Sequence, residues 1–242
     1  MTLRTTAPFF AGEPLKCGLV NAVNNSPSEA IRTYVESTTI ADEVLTAATE
    51  AAEEFGLLTP DAITAELLTF LAARAAGHGE LANHTPTGII MSPACGVIGL
   101  NLFRGLGGGH ITCIEPEVQH QQIAKAAFEA AGIRSNMFRF LPSAPLDVVG
   151  RLAQDSYDLA VTDCQPEDLL RTVEATLPAL RPGGVLILLD SLLDGLVGDS
   201  SRSDRQINAA READEALREM DGVTLARLPL GAGTTLVTKN AR

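Results

Sequence analysis

From Thr87 onward, short apolar runs bounded by turn residues alternate with stretches that carry apolar residues at helical spacing. Runs that stay apolar on successive residues suit strands buried on both faces. Helices placed between such strands make them parallel, through repeated βαβ units. The runs are residues 88–91, 111–114, 137–141, 159–162 and 185–189. Helix faces are marked by Ala124, Ala127, Phe128 and Ala131, then by Leu169, Leu170, Val173, Leu177 and Leu180, and then by Ile207, Ala210, Ala213, Leu217 and Met220. Residues 223–230 and 234–239 are strand-like and are joined only by Gly231-Ala232-Gly233, a connection short enough to force a hairpin and reverse the last strand. The fold class is therefore α/β, a Rossmann-like doubly wound sheet closed by a C-terminal antiparallel hairpin strand.

Ahead of the first run the period is helical. Ser26-Pro27-Ser28-Glu29 joins a capping-box pattern to a proline at the first helical position, which predicts a helix start near residue 27. Val44, Ala48, Ala51, Ala52 and Phe55 predict a second helix. Ile63, Leu67, Phe70 and Leu71 predict a third that opens at Thr59-Pro60. Residues 1–84 read as a helical extension of the same domain, and residues 85–242 as the ligand-binding α/β domain.

Thirty acidic against eighteen basic residues give a net charge of −12. No Lys/Arg cluster offers a footprint for a phosphate backbone, so nucleic acid is not an expected partner. No apolar run approaches the ~20 residues of a membrane helix, and the N-terminus has no unbroken apolar core, so a cytoplasmic protein without a membrane partner is expected. Cys17, Cys95, Cys113 and Cys164 lack metal or redox spacing and read as free thiols. His78, His84, His110 and His120 are scattered and read as solvated.

Three carboxylates stand where apolar runs stop: Glu115, Asp163 and Asp190. Parallel strands would bring all three to one sheet edge, where open α/β sheets bind ligands. The first run leads into Ser92-Pro93-Ala94-Cys95-Gly96-Val97-Ile98-Gly99, whose small residues allow close backbone approach and an anion at a helix N-terminus. A tight strand-to-helix turn needs small residues even without a ligand. Glu115 adds a carboxylate placed to accept ribose hydroxyls, which points to an adenosine-type cofactor. Helices before the first strand and a reversed hairpin after the last helix favour methyl transfer over hydride transfer.

These residues resemble the class I S-adenosylmethionine-dependent O-methyltransferases of the catechol and caffeoyl-coenzyme A type, in particular small actinobacterial members. The resemblance runs from about Ser28 to Lys239. It rests on Leu57-Leu58-Thr59-Pro60, Gly96-Val97-Ile98-Gly99, Ile114-Glu115-Pro116-Glu117, Ala131-Gly132-Ile133, Tyr157-Asp158-Leu159-Ala160-Val161-Thr162-Asp163, Leu180-Arg181-Pro182-Gly183-Gly184 and Leu228-Pro229-Leu230-Gly231. It implies S-adenosylmethionine as cofactor. Ser92, Pro93, Gly96 and Ile98 would lie around its methionine part, Glu115 and Pro116 at the ribose, Ser143 and Ala144 beside the adenine, and Leu58 would touch it from the N-terminal helices. Asp163 would face its amino-acid end. The resemblance further implies Mg²⁺ or another divalent cation on Asp163, Asp190 and Ser191, with both aspartates catalytic. A small hydroxylated acceptor and a homodimer complete the expectation.

The departures define the alternatives. Ile90 stands at the family's acidic position, Ser92 and Ala94 replace two glycines, Pro166 replaces the lysine base, and Ser191 replaces the metal-binding asparagine. A catalytically impaired S-adenosylmethionine binder is one alternative. A nicotinamide-dependent oxidoreductase, resting on Ala94-x-Gly96-x-x-Gly99 alone, is the other.

Overall fold

The structure, a computed structural model, describes residues 27–39, 42–82 and 84–241. Ser26 and Cys17 lie outside these residues, and so does the side chain of His78. Three helices open the chain: α1 (Pro27–Thr38), α2 (Glu43–Glu54) and α3 (Ala62–Ala82). Asp42 caps α2 by accepting the backbone N–H groups of Val44 and Leu45. Asp61 accepts Thr64 N–H at 2.7 Å, so α3 begins after this aspartate and not at Thr59-Pro60.

The α/β part follows as β1 (Thr87–Met91), α4 (Cys95–Leu106), β2 (His110–Ile114), α5 (Val118–Ala130), β3 (Phe138–Leu141), α6 (Pro145–Val148), β4 (Tyr157–Thr162), α7 (Leu169–Thr176), β5 (Leu180–Leu188), α8 (Arg205–Glu219), β6 (Val223–Leu228) and β7 (Thr234–Lys239). The strand order is β3-β2-β1-β4-β5-β7-β6. The first five strands run parallel, and β7 pairs antiparallel with both β5 and β6. The expected reversed hairpin is therefore present, with its second strand inserted against β5.

Each strand sends alternate residues to opposite faces. Ile90, Cys113, Val161 and Ile187 join α2, α3, α4 and α5 in one core, whereas Ile89, Met91, Ala160, Leu186 and Leu188 join α7 and α8 in the other. Ala48, Ala52, Leu68 and Ala72 of the N-terminal helices share the first core with the sheet. Phe128 is fully buried at its centre, with rings of Phe103, Phe138 and Phe140 around it. Full burial of such a ring contributes about 1.5–3 kcal/mol.

The chain runs outward from β1 in both directions, to β2 on one side and β4 on the other. Connections that diverge from this switch point leave a crevice over the carboxyl ends of β1 and its neighbours. Among the described residues, no helix is long and apolar enough to cross a membrane.

Candidate cofactor and acceptor site

The strand ends place the candidate acids as the apolar runs foretell. Glu115 follows β2, Asp163 follows β4, and Asp190 stands two residues after β5. Ser92 to Ala94 form the turn from β1 into α4, between Glu115 and Asp163 in strand order.

Glu115 is held from several directions. Its side chain is buried, and its Oε1 accepts the Glu117 backbone N–H at 2.8 Å and the His120 ring at 3.1 Å. A carboxylate can only accept from this ring, so Nδ1 carries the proton. Gln121 Nε2 donates to the Glu115 carbonyl at 2.7 Å, and Glu115 N–H donates to Leu141 O at 3.1 Å. The last bond ties Glu115 to the β3 end that leads into Ser143 and Ala144. The first turn of α5 thus fixes one carboxylate oxygen and leaves the other for a ligand. His120, the ring that holds Glu115, is a partner that composition and spacing did not reveal. Its signal was its place in the first turn of the helix behind Glu115. His84 is likewise paired, with Asp158 at 2.9 Å, so neither histidine is simply solvated.

The β1 loop is shaped by packing as well as by any ligand. A Cβ on Gly96 would stand 2.9 Å from Ala124 Cα, and one on Gly99 would stand 2.5 Å from the Phe128 ring. These two glycines therefore let α4 lie on α5. Ser92 Oγ accepts Ala94 N–H at 3.1 Å, and the N-cap residue Ala94 offers α4 no side-chain cap. The first turn of this 12-residue helix keeps N–H groups that suit the carboxylate of a bound amino acid. Ile98 is fully buried, and its N–H is spent on Ala94 O, so its side chain packs in the core. Ile90, at the family's acidic position, is equally buried. Pro93 is half-buried on the loop and Pro116 exposed beside Glu115. Leu58 is 75% exposed, an apolar side chain open to a covering group. This combination fits S-adenosylmethionine: a buried carboxylate with one oxygen held, an uncapped helix start and a small-residue turn.

The second group lies across β1. Burial raises the proton affinity of Asp163, and the neighbouring Asp190 charge raises it further. Asp190 has φ +52°, and its Oδ1 accepts the Ala232 N–H at 2.7 Å. Ser191 is buried, with Oγ at 2.9 Å from Thr235 Oγ1 and 3.2 Å from Gly233 O. The divalent cation expected on Asp163, Asp190 and Ser191 is therefore not matched by the donors present. One oxygen of Asp190 and the Ser191 hydroxyl are already committed to the hairpin. Pro166 opens a short 3₁₀ turn beyond Asp163 and brings no base to it.

A family profile described as O-methyltransferase matches residues 103–240. A curated relative from Mycolicibacterium smegmatis, provisionally named an O-methyltransferase, is 32% identical over 209 residues, or 86% of this chain and 96% of its own. A Corynebacterium glutamicum protein of known crystal structure is 49% identical and superposes with a TM-score of 0.83, over 90% of this chain and 99% of its own. The O-methyltransferase TomG of Streptomyces achromogenes, involved in tomaymycin synthesis and solved in complex with SAM, superposes with a TM-score of 0.75 at 23% identity. The match covers 88% of this chain and 96% of TomG and speaks for the fold.

Proposed function

We propose, from the premise that this chain belongs to the O-methyltransferase family, that it transfers the methyl group of S-adenosylmethionine to a hydroxyl of a small acceptor. The observation that carries this reading is the arrangement at the switch point. A clamped, buried Glu115 stands on one side of the β1 loop, and the acidic pair Asp163 and Asp190 on the other. Neither alternative, the impaired binder or the nicotinamide oxidoreductase, has an observation of its own in the fold.

When bound, S-adenosylmethionine supplies a methyl group activated on a sulfonium. The chain's residues position it and the acceptor for in-line displacement, and such positioning can lower a barrier by roughly 7–11 kcal/mol. The free oxygen of Glu115 accepts the ribose hydroxyls. The uncapped start of α4 receives the cofactor's carboxylate, and Ser143 and Ala144 border the adenine. Asp163 accepts the acceptor hydroxyl and takes its proton at the carboxylate. Its raised proton affinity suits it to that task better than an ordinary aspartate. No step here uses a divalent cation, because Ser191 does not complete a ligand set. The same reading takes the enzyme as a cytoplasmic homodimer acting on a diffusible small molecule, without nucleic acid or membrane. The net charge of −12 supports that choice of partner.

Calorimetry with S-adenosylhomocysteine, paired with label transfer from S-adenosylmethionine across a panel of phenols and catechols, tests the proposal. It expects saturable binding and labelled product. Binding without product on any acceptor would favour the non-catalytic binder, and no binding at all would overturn both readings.

A further inference from the structure

We propose that Asp190 and Ser191 clasp the C-terminal hairpin in place of a divalent cation, and that methyl transfer at this site proceeds without one. The inference concerns the acceptor side of the site and rests on the O-methyltransferase reading only for its second half.

The β5–β7 pairing does not stop at the strand ends. Leu188 is the last β5 residue in register, opposite Thr235. Beyond it, Leu192 N–H donates to Gly233 O at 3.3 Å and Asp194 N–H to Ala232 O at 2.8 Å. Asp190 Oδ1 takes the Ala232 N–H at 2.7 Å, and Ser191 Oγ contacts both Gly233 O and Thr235 Oγ1. Ser191 has one proton to give. Donating it to the Gly233 carbonyl leaves its oxygen to accept from Thr235, which satisfies all three groups. The loop after β5 and the hairpin turn are thus stitched by side chains as well as backbone.

The backbone explains why an aspartate stands here. Asp190 lies in the left-handed region with φ +52°, which aspartate and asparagine tolerate best among residues with a side chain. Gly231 and Gly233 also have positive φ, and a Cβ on Gly231 would stand 2.5 Å from Asp190 Oδ1. The glycine turn thus closes directly on Asp190 Oδ1, the oxygen that takes the Ala232 N–H. A hard cation such as Mg²⁺ keeps several waters and relies on a few free protein oxygens to fix it. Here Asp163 remains open, Asp190 is half spent and Ser191 is turned into the β5–β7 contact. An Asp at this position is accounted for by the turn it occupies and the N–H it receives.

The test uses the full chain, in melting and calorimetry with MgCl₂ and MnCl₂, each with S-adenosylhomocysteine present. The wild type should show no saturable cation binding and no shift in Tm between EDTA and millimolar Mg²⁺. Asp190→Asn and Asp190→Ala both remove the charge, but only asparagine retains an oxygen for Ala232 N–H and suits the left-handed backbone. Asp190→Ala should therefore melt at least about 2–4 °C below Asp190→Asn, the shift expected for one lost hydrogen bond in a domain of this size. Saturable Mg²⁺ binding that raises the wild-type Tm and is lost in Asp190→Asn would overturn the proposal. Equal melting of the two variants would remove the clasp. Label transfer that persists in EDTA supports the second half, and transfer that stops in EDTA and returns with Mg²⁺ refutes it. Failure of S-adenosylhomocysteine to bind would count against the methyltransferase reading instead, and the comparison of the two variants would still decide the clasp.

Discussion

Glu115 acts through its neighbours. An unheld carboxylate at a strand tip can rotate away from a ribose, whereas this one is pinned by the Glu117 N–H and the His120 ring. Removing the ring with His120→Ala should weaken S-adenosylhomocysteine about tenfold, or ~1.4 kcal/mol, in calorimetry. His120→Asn, whose amide N–H falls near the position of Nδ1, should recover most of the loss. Glu115→Ala should remove binding altogether. If Glu115→Ala binds normally, the ribose assignment is wrong. If only His120→Ala does, the clamp is incidental. Asp163 gives a second residue-scale prediction. Its folded-state pKa is raised by burial and by Asp190, so its proton stabilises the fold below the ordinary carboxylate range, and that contribution is lost as pH rises through the raised value. At neutral pH the ionised group is a cost, so Asp163→Asn should raise Tm, and the gain should vanish on acidification. The same variant should lower label transfer by about 10²-fold or more. The placement of these acids was legible because an apolar run that ends marks a strand tip. Their partners were not. His120 lies close by in sequence but offers no pattern, and Ala232 reaches Asp190 only after the hairpin folds back.

At the scale of elements, the pair of α4 and α5 decides how the cofactor loop sits. In sequence, Gly96 and Gly99 support either a ligand or a tight helix, and the structure gives both a close contact to α5. Gly99→Ala should cost about 1–3 kcal/mol, because a methyl group would have to displace the buried Phe128 ring. In a chain of this length that lowers Tm by roughly 2–4 °C per kcal/mol. A melting curve unchanged by the substitution would show that the two helices have slack. Helix and strand existence followed from periodicity, but some boundaries did not. α3 waits for its Asp61 cap, and residues 135–137 wind into a 3₁₀ turn before β3 begins. Hydrogen-bond partners set these ends, and periodicity does not record them.

At the scale of the molecule, α2 and α3 share one core with the sheet, and the N-terminal helices leave part of their surface apolar. Ile31 and Tyr34 of α1, three residues apart and so on one helix face, are 64% and 69% exposed, and Phe70 of α3 is 61% exposed. These side chains are the exposed apolar surface on which the homodimer proposed above would close. A second copy is the partner that the resemblance to other O-methyltransferases implies. Each copy carries a charge of −12, so association must overcome like-charge repulsion through apolar burial. Light scattering should therefore report about twice the 25.4 kDa chain mass at physiological salt. Lowering the ionic strength should loosen the dimer, because the repulsion is then less screened. Tyr34→Asp should yield the monomer while leaving S-adenosylhomocysteine binding intact, since α1 packs mainly against α3. A monomeric wild type at high protein concentration would assign the apolar face of α1 and α3 to some other partner.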